Sequence, residues 1–315
     1  MCGICGIVSE DKKASIAKMI NSIRHRGPDH QDYYTQENLK LGHARLSILD
    51  LSSAANQPMI SNSGRYIIAY NGEVYNFKSL KTEIGKFGYK FKTNSDTEVI
   101  LEGFECWETN LFKKLNGMFA ISIFDKKKQK IYLARDRFGI KPLYYYFDKK
   151  NFVFGSEIKT LLASGLVKKE LEFSALHEYL HFATSLGENT FYKSIKKLEP
   201  GMFLEYDLNK KKLIIKAYKL NYNTDQSIHT IEDAEKNIKQ LLEKSVHSQL
   251  ISDVPVGVFL SGGLDSSIIT AIGSKFYDKK LKTFSAGFDF NMVQNKNNEL
   301  PNAKLVANYY NTDHQ

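Results

Sequence analysis

The sequence predicts a layered α+β domain over residues 1–218, a linker over 219–230, and the first part of an α/β domain with a parallel sheet over 231–315. Three observations carry this reading. Residues 1–218 are dense in short runs of β-branched and aromatic side chains separated by turn residues. Between 219 and 230 the pattern lapses into polar residues, among them Asn221, Asn223, Thr224, Asp225, Gln226 and Ser227. After Pro255 the order becomes apolar run, glycine-rich turn, helical run, apolar run, which is the grammar of a parallel βαβ unit.

In the first domain, composition predicts strands at 4–8, 46–49, 66–70, 119–124, 130–135, 143–148, 152–156, 202–207 and 212–217. Helices are expected at 12–25, where Ile16, Met19, Ile20 and Ile23 share a face, at 77–87, and at 96–107, where Val99, Ile100, Leu101 and Phe104 do so. Two strand-rich clusters with helices among them imply stacked layers. In the second domain, Thr230 with Asp233 three residues on reads as a helix cap. The helix runs over 231–248, with Ile238, Leu241, Leu242 and Val246 expected on its buried side. A continuous apolar strand is expected at 256–260, a helix from Ile268, a buried strand at 283–288 and a last helix at 303–310.

Composition narrows the function classes. Hydrophobic residues are 42% and charged residues 25% of the 315, an ordinary globular balance. No apolar run approaches the ~18 residues a bilayer requires, and the N-terminus lacks the basic lead of a signal peptide. The net charge of +9 rests on basic residues spread along the chain, with lysines that thicken at turns between apolar runs, at 125–130, 148–150 and 209–212. Solvated hairpin tips account for them, and no nucleic-acid motif accompanies them. Three cysteines make no disulfide framework, so a reducing, cytoplasmic setting is expected, with neither nucleic acid nor membrane as partner.

Two segments carry chemistry. Ser261-Gly262-Gly263-Leu264-Asp265-Ser266-Ser267 follows an apolar strand and opens a helix. Unpaired N–H groups at a helix start suit an anion, and glycines let a phosphate approach the backbone. No Gly-Lys-Ser/Thr is present, so this is not a Walker loop. Cys2-Gly3-Ile4-Cys5 lacks the second pair a zinc site needs, because Cys106 is the only other cysteine. Cys5 and Cys106 read as structural buried thiols. Cys2 is different: removal of Met1 would make it the N-terminus. Its amine, with a reference pKa of about 7.7–8.0, could then serve as the base for its own thiol.

The loop at 261–267 resembles the pyrophosphate loop of the ATP pyrophosphatases. Cys2-Gly3-Ile4, Arg24-His25-Arg26-Gly27-Pro28-Asp29, Gly42-His43-Ala44-Arg45-Leu46-Ser47-Ile48, Asn56-Gln57-Pro58, Tyr70-Asn71-Gly72-Glu73 and Ser95-Asp96-Thr97-Glu98 resemble the class II glutamine amidotransferases, which are N-terminal nucleophile hydrolases. Gly117-Met118-Phe119-Ala120, the run 134–145 and Gly155-Ser156-Glu157-Ile158-Lys159 match as well. Taken in order with the later loop, the whole chain resembles the glutamine-hydrolysing asparagine synthetase family.

The resemblance implies an αββα sandwich followed by part of an ATP-pyrophosphatase domain. It implies that Cys2 attacks the glutamine amide to form a γ-glutamyl thioester, with Asn71 and Gly72 as oxyanion donors. Glutamine would contact Arg45, Leu46, Ser47, Ile48, Leu49, Asn71, Gly72, Glu73 and Asp96. Arg45 would take its carboxylate, and Asp96 with Glu73 its ammonium. The segment 24–29 would close over bound glutamine. ATP, a substrate, would contact Leu260, Ser261, Gly262, Gly263, Asp265, Ser266 and Ala286.

No metal ligand is assigned by the resemblance beyond Asp265, through Mg2+ and pyrophosphate. Asn298 stands where the family commonly has Asp, and Thr312 and His314 match a Thr-x-His. The implied reaction is ATP-dependent amidation of aspartate through β-aspartyl-AMP. Alternatives are another carboxylate acceptor such as a sugar acid, or a glutaminase-only or non-catalytic fragment. The family continues past the position of Gln315. The expectation is therefore a fragment or a chain completed by a second polypeptide, with a homodimer also open.

Overall fold

The structure, a computed structural model, describes residues 1–218, 230–287 and 299–315. The chain divides into two compact units, Met1–Asn221 and Tyr222–Gln315. The expected linker lies outside the described residues apart from Thr230.

The first unit runs β1 (Gly3–Val8), α1 (Ile16–Ser22), β2 (His30–Gln36), β3 (Leu39–Arg45), β4 (Met59–Ile60), β5 (Tyr66–Val74), α2 (Phe77–Gly85), α3 (Asp96–Trp107) and α4 (Leu111–Lys114). It continues β6 (Gly117–Asp125), β7 (Lys130–Arg135), β8 (Tyr144–Phe147), β9 (Phe152–Gly155), α5 (Ile158–Ala163), α6 (Phe173–Phe182), β10 (Ile195–Lys197), β11 (Met202–Asp207) and β12 (Lys212–Ala217). Two six-stranded antiparallel sheets result, β10-β8-β9-β1-β3-β2 and β12-β11-β7-β6-β5-β4.

Strand alternation explains the layering. In β1, Ile4 and Val8 join Leu39 and Leu41 of the same sheet, and Ile67, Ala69, Ile131 and Leu133 of the other, in a core between the sheets. Cys5 and Ile7 face the opposite way and pack with Ile16, Met19, Ile20 and Leu161 of the covering helices. On the other sheet, Tyr66 of β5 meets Phe104 of α3 edge-on at 5.4 Å between ring centroids. The unit is thus an αββα sandwich. The lysine-rich segments lie between β6 and β7, β8 and β9, and β11 and β12, as hairpin connections.

The structure corrects several local expectations. Residues 46–49 form no strand; the strand is Leu39–Arg45, paired with the unforeseen His30–Gln36. The apolar run 46–49 instead forms a loop around the Arg45 side chain. The helix expected at 12–25 is confined to Ile16–Ser22, because Ser15 caps it by accepting from Lys18 N–H, and Arg24–Arg26 forms a separate turn. The strand expected at 66–70 runs on to Val74, so Asn71-Gly72 lies inside the nine-residue strand β5. Cys5 is buried, but Cys106 is only half-buried.

The second unit contains α7 (Ile231–Gln249), β13 (Gly257–Phe259), α8 (Leu264–Phe276), β14 (Lys282–Phe284), α9 (Leu300–Tyr309) and β15 (Asp313–His314). The three strands form a parallel sheet in the order β13-β14-β15. The Thr230 hydroxyl accepts from Asp233 N–H at 3.1 Å and caps α7. Burial departs from expectation: Ile238, Leu241 and Leu242 are exposed and Val246 is half-buried. Periodicity finds the apolar face of a helix but not what covers it. Strand β13 is likewise not buried, with Phe259 85% exposed. Strand β14 ends at Phe284, and Phe288 lies outside the described residues. No described helix is long and apolar enough to cross a membrane.

Candidate active site

A cavity of about 340 Å³, open mouth included, lies in the first unit beside Cys2. Arg45, Leu46, Ile48, Leu49, Gly72, Glu73 and Asp96 line it together with Cys2. Ala55, Gln57, Tyr70, Ser95 and Thr97 complete the wall.

Cys2 stands immediately before β1. Its Sγ is 3.3 Å from Leu46 N, which donates to it, and 3.4 Å from Leu46 O. Burial pushes the thiol pKa up, and the Leu46 contact and the nearby terminal amine pull it partly back. The Met1 amine is lowered, first by burial and then by Arg26 and Lys141. Arg26 donates through Nε to Cys2 O at 2.9 Å and through a terminal nitrogen to Glu157 at 2.9 Å. Lys141, only 4% exposed, reaches Met1 Sδ at 3.1 Å. Asp29 accepts from Ser47 N–H at 2.7 Å. The segment 24–29 thus ties the N-terminus to the loop after β3.

The acidic wall is built by α3. Ser95 caps that helix by accepting from Glu98 N–H at 3.3 Å, and Glu98 turns back to accept from Thr93 N–H at 2.7 Å. Asp96 is thereby held at the helix start, where negative charge is favoured. Its Oδ2 accepts the Tyr70 hydroxyl at 2.8 Å and Val74 N–H at 2.9 Å. Burial raises the pKa of both Asp96 and Glu73, and the charge of Asp96 raises Glu73 further. The pocket therefore holds two carboxyl groups that a ligand cation would relieve.

Arg45, 5% exposed, faces the same cavity. Its guanidinium donates to Ser52 O at 2.8 Å, to Asn56 Oδ1 at 2.6 Å and to Asp50 O. It organises the loop that carries Leu46, Ile48 and Leu49.

Along β5, Tyr70 N–H donates to Gln57 Oε1 at 2.7 Å, and Val74 N–H goes to Asp96. Strand alternation puts the Gly72 N–H on this same edge, between them and at the cavity wall. A Cβ at Gly72 would lie 2.2 Å from Met118 O, so the residue must be glycine for the strands to close. Asn71 does not line the cavity; it is 1% exposed, and its amide nitrogen is buried without an acceptor. Ser47 also stands outside the lining. Gln57, Tyr70, Thr97 and Lys141 were not singled out by the sequence, although all four lie within quoted motifs.

In the second unit, Leu260, Ser261 and Ala286 line a cavity of about 730 Å³, open mouth included, with Phe259, Phe284, Ser285, Glu299, Leu300 and Ala303. Gly262, Gly263, Asp265 and Ser266 form the adjoining turn rather than the wall. The Ser261 and Ser266 hydroxyls lie 2.9 Å apart, and Ser261 Oγ accepts from Gly263 N–H at 3.2 Å. Asp265 is exposed in the first turn of α8. Among the described residues no three His, Cys, Asp or Glu side chains gather as a metal site. Thr312 and His314 both meet the Thr283 hydroxyl, at 2.8 and 3.0 Å, and fasten β15 to β14. Asn298 lies outside the described residues.

Comparison with known proteins gives this geometry a family. The chain is 39% identical to the putative asparagine synthetase [glutamine-hydrolyzing] 2 of Methanocaldococcus jannaschii, over 100% of the chain and 64% of the relative. It is 36% identical to asparagine synthetase [glutamine-hydrolyzing] 3 of Bacillus subtilis, over 92% of the chain and 49% of the relative. The chain thus spans between about half and two thirds of the length of these relatives. The solved glutamine phosphoribosylpyrophosphate amidotransferase from B. subtilis, complexed with ADP and GMP, superposes with a TM-score of 0.53 at 20% identity, over 86% of this chain and 63% of that one. The solved allosteric regulatory enzyme of purine biosynthesis gives 0.51 at 17% identity, over 94% and 67%. These two likenesses speak to the fold alone. Residues 1–219 match the glutamine amidotransferase domain family and residues 237–315 the asparagine synthase family. The chain belongs to the glutamine amidotransferase domain family, joined in one polypeptide to an asparagine synthase segment.

Proposed function

We propose that the first unit hydrolyses glutamine at Cys2 and that the released ammonia serves an ATP-dependent amidation of a carboxylate, aspartate in the first instance. One observation carries the reading: the Cys2 thiol, the Arg45 guanidinium and the Glu73 and Asp96 carboxyl groups line a single cavity. A free amino acid brings a carboxylate and an ammonium, and the cavity offers a partner for each. Cys2 forms the γ-glutamyl thioester once Met1 is removed, and the freed amine takes the thiol proton and returns it to the departing ammonia. The Gly72 N–H and the Asn71 amide donate to the tetrahedral oxygen. Asn71 supports this because its donor lacks any acceptor in the protein.

Residues 231–315 are proposed as the start of the synthetase domain, with 261–266 holding the phosphates of ATP and Leu260 and Ala286 beside the adenine. Magnesium bound with nucleotide phosphates needs only one or two protein carboxylates, and Asp265 would supply one. Acceptors other than aspartate, sugar acids included, belong to the same reading. Incubation of purified chain with a glutamine-analogue diazoketone tests the nucleophile. One label per chain on N-terminal Cys2 is the expected result; labelling of Cys5 or Cys106, or unchanged glutaminase activity in Cys2→Ala, overturns it.

A further inference from the structure

His43 sits in β3 at a position whose strand neighbours on the same side, Leu39 and Leu41, are apolar and pack between the sheets. The side chain is fully buried. A leucine would continue the pattern. The imidazole instead makes one hydrogen bond across the sandwich: Nε2 lies 2.9 Å from Tyr70 O in β5. A carbonyl only accepts, so Nε2 carries the proton and Nδ1 is left with a bare lone pair. That Nδ1 is buried with no partner. An orphaned buried acceptor costs stability, so packing alone does not account for histidine here. What it supplies, and leucine cannot, is the bond to Tyr70.

We infer that His43 is a positioning residue for the Asn71 and Gly72 donors, acting by clamping the Tyr70 carbonyl; the inference rests on the glutaminase reading above. The Tyr70 C=O and the Asn71 N–H share one rigid peptide plane. Tyr70 is held at three points: its N–H by Gln57, its hydroxyl by Asp96 and its carbonyl by His43. The first two bonds come from the cavity wall, and only the His43 bond comes from the other sheet. It fixes the tilt of the plane from which Asn71 and Gly72 follow. Burial, then the neighbouring Arg45 and His30, hold the imidazole down to about 3, so the clamp is neutral and constant at working pH.

The test is steady-state glutaminase kinetics of the full chain, with active molecules counted by diazoketone titration so that misfolded protein drops out. His43→Leu is expected to lower kcat by about tenfold or more, since loss of an oxyanion donor itself costs ~10²–10³, with little change in the glutamine KM. His43→Gln, whose Nε2 can reach the same carbonyl, is expected to recover most of the rate. Where His43→Leu gives no titratable thiol, His43→Asn, whose amide stops short of Tyr70, takes its place with the same expected loss. A normal kcat in the Leu or Asn variant, or a fall in His43→Gln equal to theirs, overturns the inference. Asn71→Ala run in parallel separates the two levels. An unchanged rate there overturns the oxyanion reading, whereas a loss there with a normal rate in His43→Leu overturns only the role of His43.

Discussion

The Asp96 carboxylate is tied to Tyr70 before any ligand arrives: Oδ2 takes the Tyr70 hydroxyl at 2.8 Å and, from two strand positions beyond Gly72, the Val74 N–H at 2.9 Å. The side chain proposed to take the glutamine ammonium is therefore fixed by the strand that carries the proposed oxyanion donors. Binding and chemistry share one scaffold, and a disturbance of β5 reaches both.

The first expectation concerns pH. Burial raises Asp96 and Glu73 above the ordinary carboxylate range. In the proposed role each would bind an ammonium only when ionised, so the specificity constant for glutamine should fall as pH drops through these raised values. The fall should begin nearer neutrality than the ~4 of a free carboxyl. A rate–pH profile that stays flat until about pH 5 contradicts this.

The same shift has a stability sign. A carboxyl whose folded pKa exceeds its unfolded one favours folding fully below the unfolded value, and that contribution is lost as pH rises through the folded value. At neutral pH the pair therefore strains the first unit. Glu73→Gln should raise the melting temperature, by about 2–4 °C for each kcal/mol relieved, while weakening glutamine use. Calorimetry near neutral pH and at low pH checks it: the gain should shrink in acid, and equal gains at both would show that charge is not the cause.

Arg45 separates charge from shape. Arg45→Lys keeps the positive charge but loses the fork that spans Ser52 O, Asp50 O and Asn56 Oδ1. The loop bearing Leu46, Ile48 and Leu49 should loosen, and glutamine kcat/KM should fall by about 10- to 150-fold, the worth of one charge-assisted hydrogen bond. Kinetics indistinguishable from the parent would mean that charge alone suffices.

Lys141 bears on the acidic wall. Its charge pulls Glu73 partly back from the rise that burial and Asp96 impose. Lys141→Met removes that cation, so Glu73 should rise and the acid limb of the glutaminase profile should move to higher pH. A limb that stays in place, or moves down, refutes this account of Glu73.

Much of the first unit was legible because its strands alternate and its turns carry the right residues; 130–135, 202–207 and 212–217 match β7, β11 and β12 residue for residue. β3 was not, because Gly42, His43 and Arg45 spoil the apolar alternation for reasons of the site rather than the strand. The run 46–49 looked like a strand because Leu46, Ile48 and Leu49 are apolar, yet these three side chains line a cavity. Cys2, Arg45, Gly72, Glu73 and Asp96 were identified through the family resemblance, and their meeting at one cavity required coordinates. Gln57 could have been suspected only as a side-chain partner for an edge-strand N–H, a need visible once β4 is seen to begin at Met59, opposite Ile68, leaving Tyr70 without a strand partner on that edge.

The second unit offers a comparison of two adjacent glycines. Gly262 has φ +79°, where side chains are rarely tolerated, and a Cβ there would lie 2.6 Å from Ala303 N and 2.7 Å from Asn302 Cβ on α9. Ala303 packs with Leu260 and Ala307 in the small core under the loop. Alanine at 262 must therefore both strain the turn, at about 1–2 kcal/mol, and push α9 away. Gly263 is different: its φ of −72° is ordinary, and the nearest atom to its Cβ would be Ser261 Oγ at 3.3 Å. Gly262→Ala should weaken magnesium-ATP binding to the full chain far more than Gly263→Ala, and should lower the melting temperature as well. Titration with a fluorescent ATP analogue measures the first effect and thermal unfolding the second. Equal losses in the two variants would place the nucleotide's demand on open space at both glycines, and not on the turn that Gly262 alone can make.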